Sequence, residues 1–568
     1  MASRSVNEIK STWTTPACDL ASLPADSEQQ QACVTAAAGS DGYNWGYDPQ
    51  HYTTPEGSYT TDAEGTARTL QFRQMVAALN GEGLRVVMDV VYNHTADSGQ
   101  TGTNDLDRIV PGYYHRLDAT GAVTTSTCCA DTASEHLMMG KLLVDSVITW
   151  ATQYQVDGFR FDLMGFHPKA VMEQLRTRLD GLTVTRNGVD GKAVYLYGEG
   201  WNFGTVANDA LFVQATQANM AGTGIGTFND RIRDAVRGGA FNDTDPRTQG
   251  FASGLFTDPN GDTVNGDPAT QKAKLLLEQD QIKVGLVGNL RDYRFTDRTG
   301  ATVKGSGVDY NGQPTGYTAQ PQESVNYVDA HDNETLYDLL TYKLPVATSM
   351  ADRIRMQTLA LSTTALSQGV SFWQAGSEAL RSKSFDSNSY DSGDWFNALD
   401  PSLHSNGFGK GLPPAADNQA KWQYMKPLLA DPALKPTHTD LLTAGDRSMT
   451  LLRIRATNPL LHLGSANLIQ QKVSFPDSGP TGTPGVIVER IDDTVGADAD
   501  PGRKGLLIVF NAGPKVTTQT VAATAGQAWR LNPVQASGAD RVVKASSYNR
   551  TTGAFSVPAR TVAVFEQH

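Results

Sequence analysis

The run LRVVMDVV (84–91) is apolar at nearly every position, the pattern of a strand buried on both faces of a parallel sheet. Parallel neighbours need crossover connections, usually helical, and the flanking sequence supplies them. Upstream, Thr66 to Leu79 sets Phe72, Met75, Val76 and Leu79 at i, i+3, i+4 and i+7, which predicts an amphipathic helix stopped by Gly81 and Gly83. Downstream, Thr132 and Glu135 have the spacing of a capping box. The helix it would open carries Leu143, Val147, Trp150, Ala151 and Tyr154 on one stripe. VDGFRFD (156–162) follows as a strand, Ala170 to Leu182 as a helix and VYLYGE (194–199) as a strand. GIGTFND (224–230), SVNYVDA (324–330) and GVSFWQA (369–375) are further short strands beside helical stretches. This alternation predicts an α/β architecture. After about Leu463 the helical period disappears, and GVIVERI (485–491), GLLIVFNA (505–512) and TVAVFEQ (561–567) alternate between Gly, Pro and Asp turns. That tail predicts an antiparallel β-sandwich of about a hundred residues.

Composition narrows the function classes. Lys and Arg number 47 against 60 Asp and Glu, a net charge of -13 over 568 residues. Nucleic acid and anionic membranes both demand a basic surface, so neither is expected as partner. No apolar run approaches the roughly 18 residues that span a bilayer. The opening MASRSVNEIK carries charges where a signal peptide needs its apolar region. The four cysteines are Cys18, Cys33 and the adjacent Cys128 and Cys129. None has the spacing of a structural zinc site. Cys18 and Cys33 could close a short disulfide loop, which leans the reading towards an exported protein. Neighbouring Cα atoms lie about 3.8 Å apart, below the usual disulfide range, so Cys128 and Cys129 read as two free thiols.

Four acids lie at or just beyond the C-terminal ends of the predicted strands: Asp89, Asp162, Glu199 and Asp332. In α/β barrels that end carries the active site. Period-2 geometry puts Arg160 and Asp162 on one face, with Phe159 and Phe161 turned onto helices. A guanidinium beside a carboxylate keeps it ionised, as a nucleophile requires. Glu199, among Tyr195, Tyr197 and Trp201, should instead hold a proton to donate. One ionised and one protonated carboxyl is the equipment of a retaining glycoside hydrolase. Taken singly, an Asp after a strand is more often a helix cap or turn residue. Four at the same end of successive strands, two of them beside His94 and His331, outweigh that reading.

At these residues the chain resembles the α-amylase superfamily of glycoside hydrolases, specifically its pullulanase and limit-dextrinase branch. DVVYNH (89–94), GFRFDLMG (158–165), YGEGW (197–201) and YVDAHDN (327–333) are similar to the four signature regions in order. YNWGYDP (43–49) is similar to the motif that marks the α-1,6-cleaving members. PGYYHR, GTGIGTFNDRIRDAVRGG and NSYDSGDWFN are similar to branch-specific stretches. The resemblance implies Asp162 as nucleophile, Glu199 as general acid/base and Asp332 as the third carboxylate. It further implies that Asp89, His94, Arg160 and His331 hold the glucose before the cleaved bond. Tyr47 would stack on that ring, and Trp201 would line the leaving-group side.

The implied fold is a (β/α)8 TIM-type barrel over residues 1–462 with long βα-loop insertions, then a C-terminal antiparallel β-sandwich over 463–568. Strands ending near Asp89, Asp162, Glu199, Asn229, Ala330 and Gln374 number six, and the Asp89 strand is the third in the family. The barrel is therefore expected to lack its first two strands, as a truncated product or one piece of a longer polypeptide would. The implied partner is branched α-glucan, acted on by a monomer. No cofactor is needed for the chemistry. Family members often bind structural Ca2+, but no loop here has EF-hand spacing, so no ligands are assigned. The competing readings are an α-1,4-acting amylase or neopullulanase, and an inactive, truncated glycan-binding remnant.

Overall fold

The structure, a computed structural model, describes residues 2–3, 14–102 and 105–568. Apart from Ala2 and Ser3, the opening MASRSVNEIK lies outside the described residues. The chain divides into two compact units, Met1–Thr15 with Gly39–Phe228, and Pro16–Ala38 with Asn229–His568.

The first unit is built on parallel strands β1 (Val87–Val90), β2 (Gly158–Phe161), β3 (Tyr195–Gly198) and β4 (Gly226–Asn229). Helix α1 (Ala67–Gly81) leads into β1, while α2 (Leu137–Gln153) crosses from β1 to β2 and α3 (Lys169–Asp180) from β2 to β3. The strands pair in chain order, with Asp89 opposite Arg160, Arg160 opposite Tyr197 and Tyr197 opposite Gly226. Phe159 and Phe161 are fully buried in a core that includes Leu143, Val147 and Trp150 of α2 and Met172, Leu175 and Leu179 of α3. This is the expected stripe on its expected partners.

Two local expectations are corrected here. The predicted capping box does not form: α2 starts at Leu137, and its N-cap His136 makes no side-chain cap bond. Thr132 instead donates its hydroxyl to the Tyr92 carbonyl, and Glu135 accepts from Arg116 Nε and Nη2, each at 2.9 Å. A tertiary ion pair has captured a side chain that local spacing reserved for the helix. On α1 only part of the stripe is used. Val76 is buried and Phe72 packs on the Trp150 and Tyr154 rings, whereas Leu70, Met75 and Leu79 are exposed. Leu84 and Val87 share that exposure, and among the described residues no strand pairs with the outer edge of β1. The apolar stripe outruns the surface available to cover it.

The second unit carries α4 (Asp230–Arg237), α5 (Pro268–Leu286), the parallel pair β5 (Ser324–Asn326) and β6 (Val370–Ser371), α6 (Leu336–Lys343), α7 (Met350–Ala365) and α8 (His438–Ala456). Its C-terminal part begins with α9 (Ala466–Lys472), so the helical period continues past Leu463, contrary to expectation. Seven strands then follow a short β7 (Val473–Ser474): β8 (Val486–Asp492), β9 (Gly505–Asn511), β10 (Thr517–Thr520), β11 (Trp529–Leu531), β12 (Ser547–Asn549), β13 (Ala554–Val557) and β14 (Thr561–Gln567). They form an antiparallel five-stranded sheet in the order β7-β8-β9-β14-β11 and a three-stranded sheet β10-β13-β12. Every residue of β9 is buried, not every second one. Leu507 and Val509 pack with Phe555 and Val557 of the smaller sheet, while Leu506, Ile508 and Phe510 join a core that reaches α5, α7 and α8. A strand covered on both faces reads as a continuous apolar run. No helix among the described residues is long and apolar enough to cross a membrane.

One buried base makes the first unit acid-sensitive. His167 is 1% exposed; its Nδ1 lies 2.8 Å from Ser134 Oγ, and its Nε2 has no partner. Burial, with the Arg116 cation second, pushes its pKa down to about 3. An unfolded histidine takes up its proton near pH 6.5, so below that pH the unfolded chain binds a proton that the folded chain refuses. Stability should fall by about 1.4 kcal/mol per pH unit between those limits. Urea unfolding at pH 7.5, 6 and 5 checks this, and His167→Gln should flatten the slope.

Candidate active site

The parallel register sets the site before any side chain is considered. The backbone N–H of Asp162 donates to Val90 O at 2.9 Å, and that of Glu199 to Phe161 O at 3.1 Å. Both acids therefore stand one step past their strands, still tied to the ladder. Asp89 and Arg160 occupy one row across β1 and β2, and strand alternation returns Asp162 to the face of Arg160.

Arg160 gathers the acids. Its Nη1 donates to Asp89 Oδ1 at 2.9 Å and to Asp162 Oδ1 at 3.1 Å, while Nη2 lies 3.2 Å from Glu199 Oε1. The Tyr47 hydroxyl donates to Asp89 Oδ2 and accepts from Arg160 Nη1 at 3.3 Å. The guanidinium also lies 5.8 Å from the ring centres of both Tyr47 and Phe228, within cation–π range. Burial disfavours the Arg160 charge, but Asp89, Glu199 and Asp162 together more than offset it and hold its pKa well above the ordinary value. Burial and then the Asp89 carboxylate push the Tyr47 phenol well above 10, so it stays a donor. Burial and the same carboxylate raise Tyr197 to about 12.

Glu199, expected among aromatics, is instead held by polar groups. Beside Arg160, its Oε2 accepts from the Leu163 N–H at 2.9 Å. Leu163 sits in the left-handed region at φ 41°, an uncommon position for a branched side chain and one that clusters at functional sites. Gly165 completes the fit, donating its N–H to Glu199 O at 2.9 Å. A Cβ there would lie 2.1 Å from the Trp201 carbonyl oxygen. Sequence reasoning missed Leu163 and Gly165 because both act through their backbones. The half-buried Trp201 is thus anchored through its main chain against the loop after Asp162.

His94 joins the group through Tyr47, its Nε2 lying 2.8 Å from Tyr47 O and 3.4 Å from Asp48 Oδ1. Six sequence-predicted residues of the first unit therefore form one network: Tyr47, Asp89, His94, Arg160, Asp162 and Glu199. In the second unit, His331 and Asp332 stand together, His331 Nε2 lying 3.7 Å from Asp332 Oδ2, with 51% of the Asp332 side chain exposed. The buried Lys383 donates to His331 O at 2.9 Å. Nearby, Asp329 is buried and accepts from Leu336 N and the Ser377 hydroxyl.

The cysteines depart from expectation. Cys18 pairs with Cys33 at a Cα–Cα distance of 6.3 Å, and Cys128 pairs with Cys129, so the adjacent two are joined rather than free. Although sequence spacing offers no zinc motif, the fold brings Asp48, His94, Cys128 and Cys129 together, with one ligand atom of each within 4.8 Å of the others.

Comparison with known proteins gives concordant matches. Residues 403–568 match the family model "Alpha-1,6-glucosidases, pullulanase-type, C-terminal". Over 99% of its length the chain is 44% identical to pullulanase 1, chloroplastic, of Arabidopsis thaliana, covering 59% of that protein. Over 95% it is 42% identical to the pullulanase of Klebsiella pneumoniae, covering 49%. The crystal structure of the maltotriose complex of PulA from Klebsiella pneumoniae superimposes with a TM-score of 0.89 at 42% identity, over 95% of this chain and 57% of that one. PulA from Klebsiella oxytoca gives 0.90 at 40% identity, over 96% and 51%. The chain thus spans about half the length of the relatives it matches.

The site rests on one cation, and its removal is directly testable. Arg160→Met should leave Asp89, Asp162 and Glu199 facing one another without a counter-charge. Breaking such a buried pair costs about 3 kcal/mol. Urea denaturation midpoints of both proteins at pH 7.5 check this.

Proposed function

The chain belongs to the pullulanase branch of the α-amylase superfamily, and from that premise we propose that it is a retaining glycoside hydrolase cleaving α-1,6-glucosidic bonds in pullulan, amylopectin and limit dextrins. It shares with its structural matches an α/β amylase-type fold with C-terminal β-sheets. The observation that carries the reading is the single Arg160 guanidinium bonded to Asp89, Asp162 and Glu199 at the C-terminal ends of three adjacent parallel strands. Finer architecture follows the same reading: a (β/α)8-type barrel over residues 1–462 and a sandwich over 463–568. The pairing of apolar faces between the larger and smaller C-terminal sheets supports the second.

Asp162, with Arg160 as its counter-ion, attacks the anomeric carbon while Glu199 gives a proton to the glycosidic oxygen. The bond to the leaving sugar breaks and a glycosyl–Asp162 ester forms. Glu199 then takes a proton from water, whose oxygen bonds to the same carbon as the ester breaks. Asp332 acts as the third carboxylate, orienting hydroxyls and stabilising the oxocarbenium-like transition state. Asp89, His94, Arg160 and His331 hold the glucose before the cleaved bond, Tyr47 stacks on it, and Trp201 lines the leaving-group side. The substrate is a branched α-glucan bound by a monomer. No cofactor enters the chemistry; a structural Ca2+ is compatible with it, with no ligands assigned.

Asp162→Asn should lower maltotriose release from pullulan by on the order of 10^3-fold or more, read by product chromatography. No product from either protein would favour the remnant reading, and reducing sugar from linear amylose would favour α-1,4 cleavage. Two successive displacements at one carbon should deliver the α-anomer first. Polarimetry on fresh product checks this, and β-anomer would remove Asp162 from its role.

A further inference from the structure

Cys128 and Cys129 stand beside His94 for a structural reason. His94–Thr95 and Ala130–Asp131 pair antiparallel, His94 opposite Asp131, which delivers the residues just before Ala130 to the imidazole. Asp48 comes from a third segment, with its Oδ1 3.4 Å from both Cys129 Sγ and His94 Nε2. Cys128 is exposed, and Cys129 and Asp48 are half-buried, so solutes reach the cluster. The pair joins adjacent residues and so closes no length of chain. In the loop-entropy account its reduction therefore removes little of the fold's stability.

We propose that reduction of the Cys128–Cys129 disulfide creates a site for a thiophilic divalent cation such as Zn2+, held by both thiolates, His94 Nε2 and Asp48. A small dithiol supplies the electrons: its two thiols become a disulfide, and Cys128 and Cys129 each gain a hydrogen. Zn2+ then displaces both thiol protons. Two sulfurs, one nitrogen and one oxygen suit tetrahedral zinc, and the thiolates disfavour Ca2+ or Mg2+. Tetrahedral edges of about 3.3–3.8 Å require the ligand atoms, now within 4.8 Å, to close by about an ångström. Asn93 is placed to support the metal form. Its Nδ2 lies 3.1 Å from His94 Nδ1, while its Oδ1 is buried without a partner. Turning that amide over gives Nδ1–H an acceptor and frees Nε2 for the metal, the outer-shell bond that zinc-bound histidines use.

Occupancy withdraws His94 Nε2 from the Tyr47 carbonyl and so disturbs the sugar site; this consequence rests on the hydrolase reading, whereas the metal site does not. The test reduces the full chain with a dithiol, removes the reductant without air, and titrates Co2+ as a spectroscopic probe. Thiolate-to-cobalt charge transfer saturating at one equivalent, displaced by Zn2+ and missing from the unreduced protein, is the expected result. Zn2+ should protect Cys128 and Cys129, but not Cys18 or Cys33, from alkylation mapped by peptide mass spectrometry. His94→Gln and Asp48→Asn should each weaken Co2+ binding about 10- to 100-fold. No charge-transfer band, or a band and protection that map to Cys18 and Cys33, overturns the site. One equivalent of Zn2+ should lower pullulan cleavage by the reduced protein at least about ten-fold, with recovery on chelation. Tight binding without that loss overturns the link to His94. Absence of cleavage in the metal-free reduced and unreduced proteins alike would instead count against the hydrolase reading.

Discussion

A buried guanidinium organises the first unit's site. Arg160 pays its desolvation through three carboxylates and two aromatic rings, and each of these comes from a different stretch of chain. The cation is therefore both product and cause of the arrangement: it is tolerable only where the acids converge, and the acids can crowd only where it stands between them. Three acidic side chains crowd one guanidinium and hold its charge against the burial that disfavours it.

The parallel register supplies the precision. Asp89, Arg160 and Tyr197 fall in one row because β1, β2 and β3 pair in step. The N–H groups of Asp162 and Glu199 extend that ladder by one residue each. Leu163 and Gly165 then fix the loops beyond it through backbone bonds. A rigid sheet end holding short, bonded loops places charged groups more reproducibly than long loops could.

Much of this was legible from residues alone. Alternation in VDGFRFD put Arg160 and Asp162 on one face, and the structure has them bonded. The α2 stripe became the core that backs β2. The failures share one cause, which is that a side chain has a single location but several attractive partners. Glu135 fits a capping box by spacing and pairs with Arg116 in the fold. Met75 and Leu79 satisfy a helical stripe, yet no packing surface reaches them. In β9 alternation was expected because the layers that bury its two faces, the smaller sheet on one and helices α5, α7 and α8 on the other, come from other segments of the chain.

Residue order alone is enough to read the alternation of strands and helices, the acids at the strand ends and the kinship those acids reveal. These properties are local, set by period, chirality and residue chemistry over a few positions. It takes the folded packing to bring Glu199 against Arg160 and the Leu163 amide, and to gather Asp48, His94, Cys128 and Cys129 in one corner. Distances across three or four separate segments depend on how every intervening element packs, and no spacing rule along the chain encodes that sum.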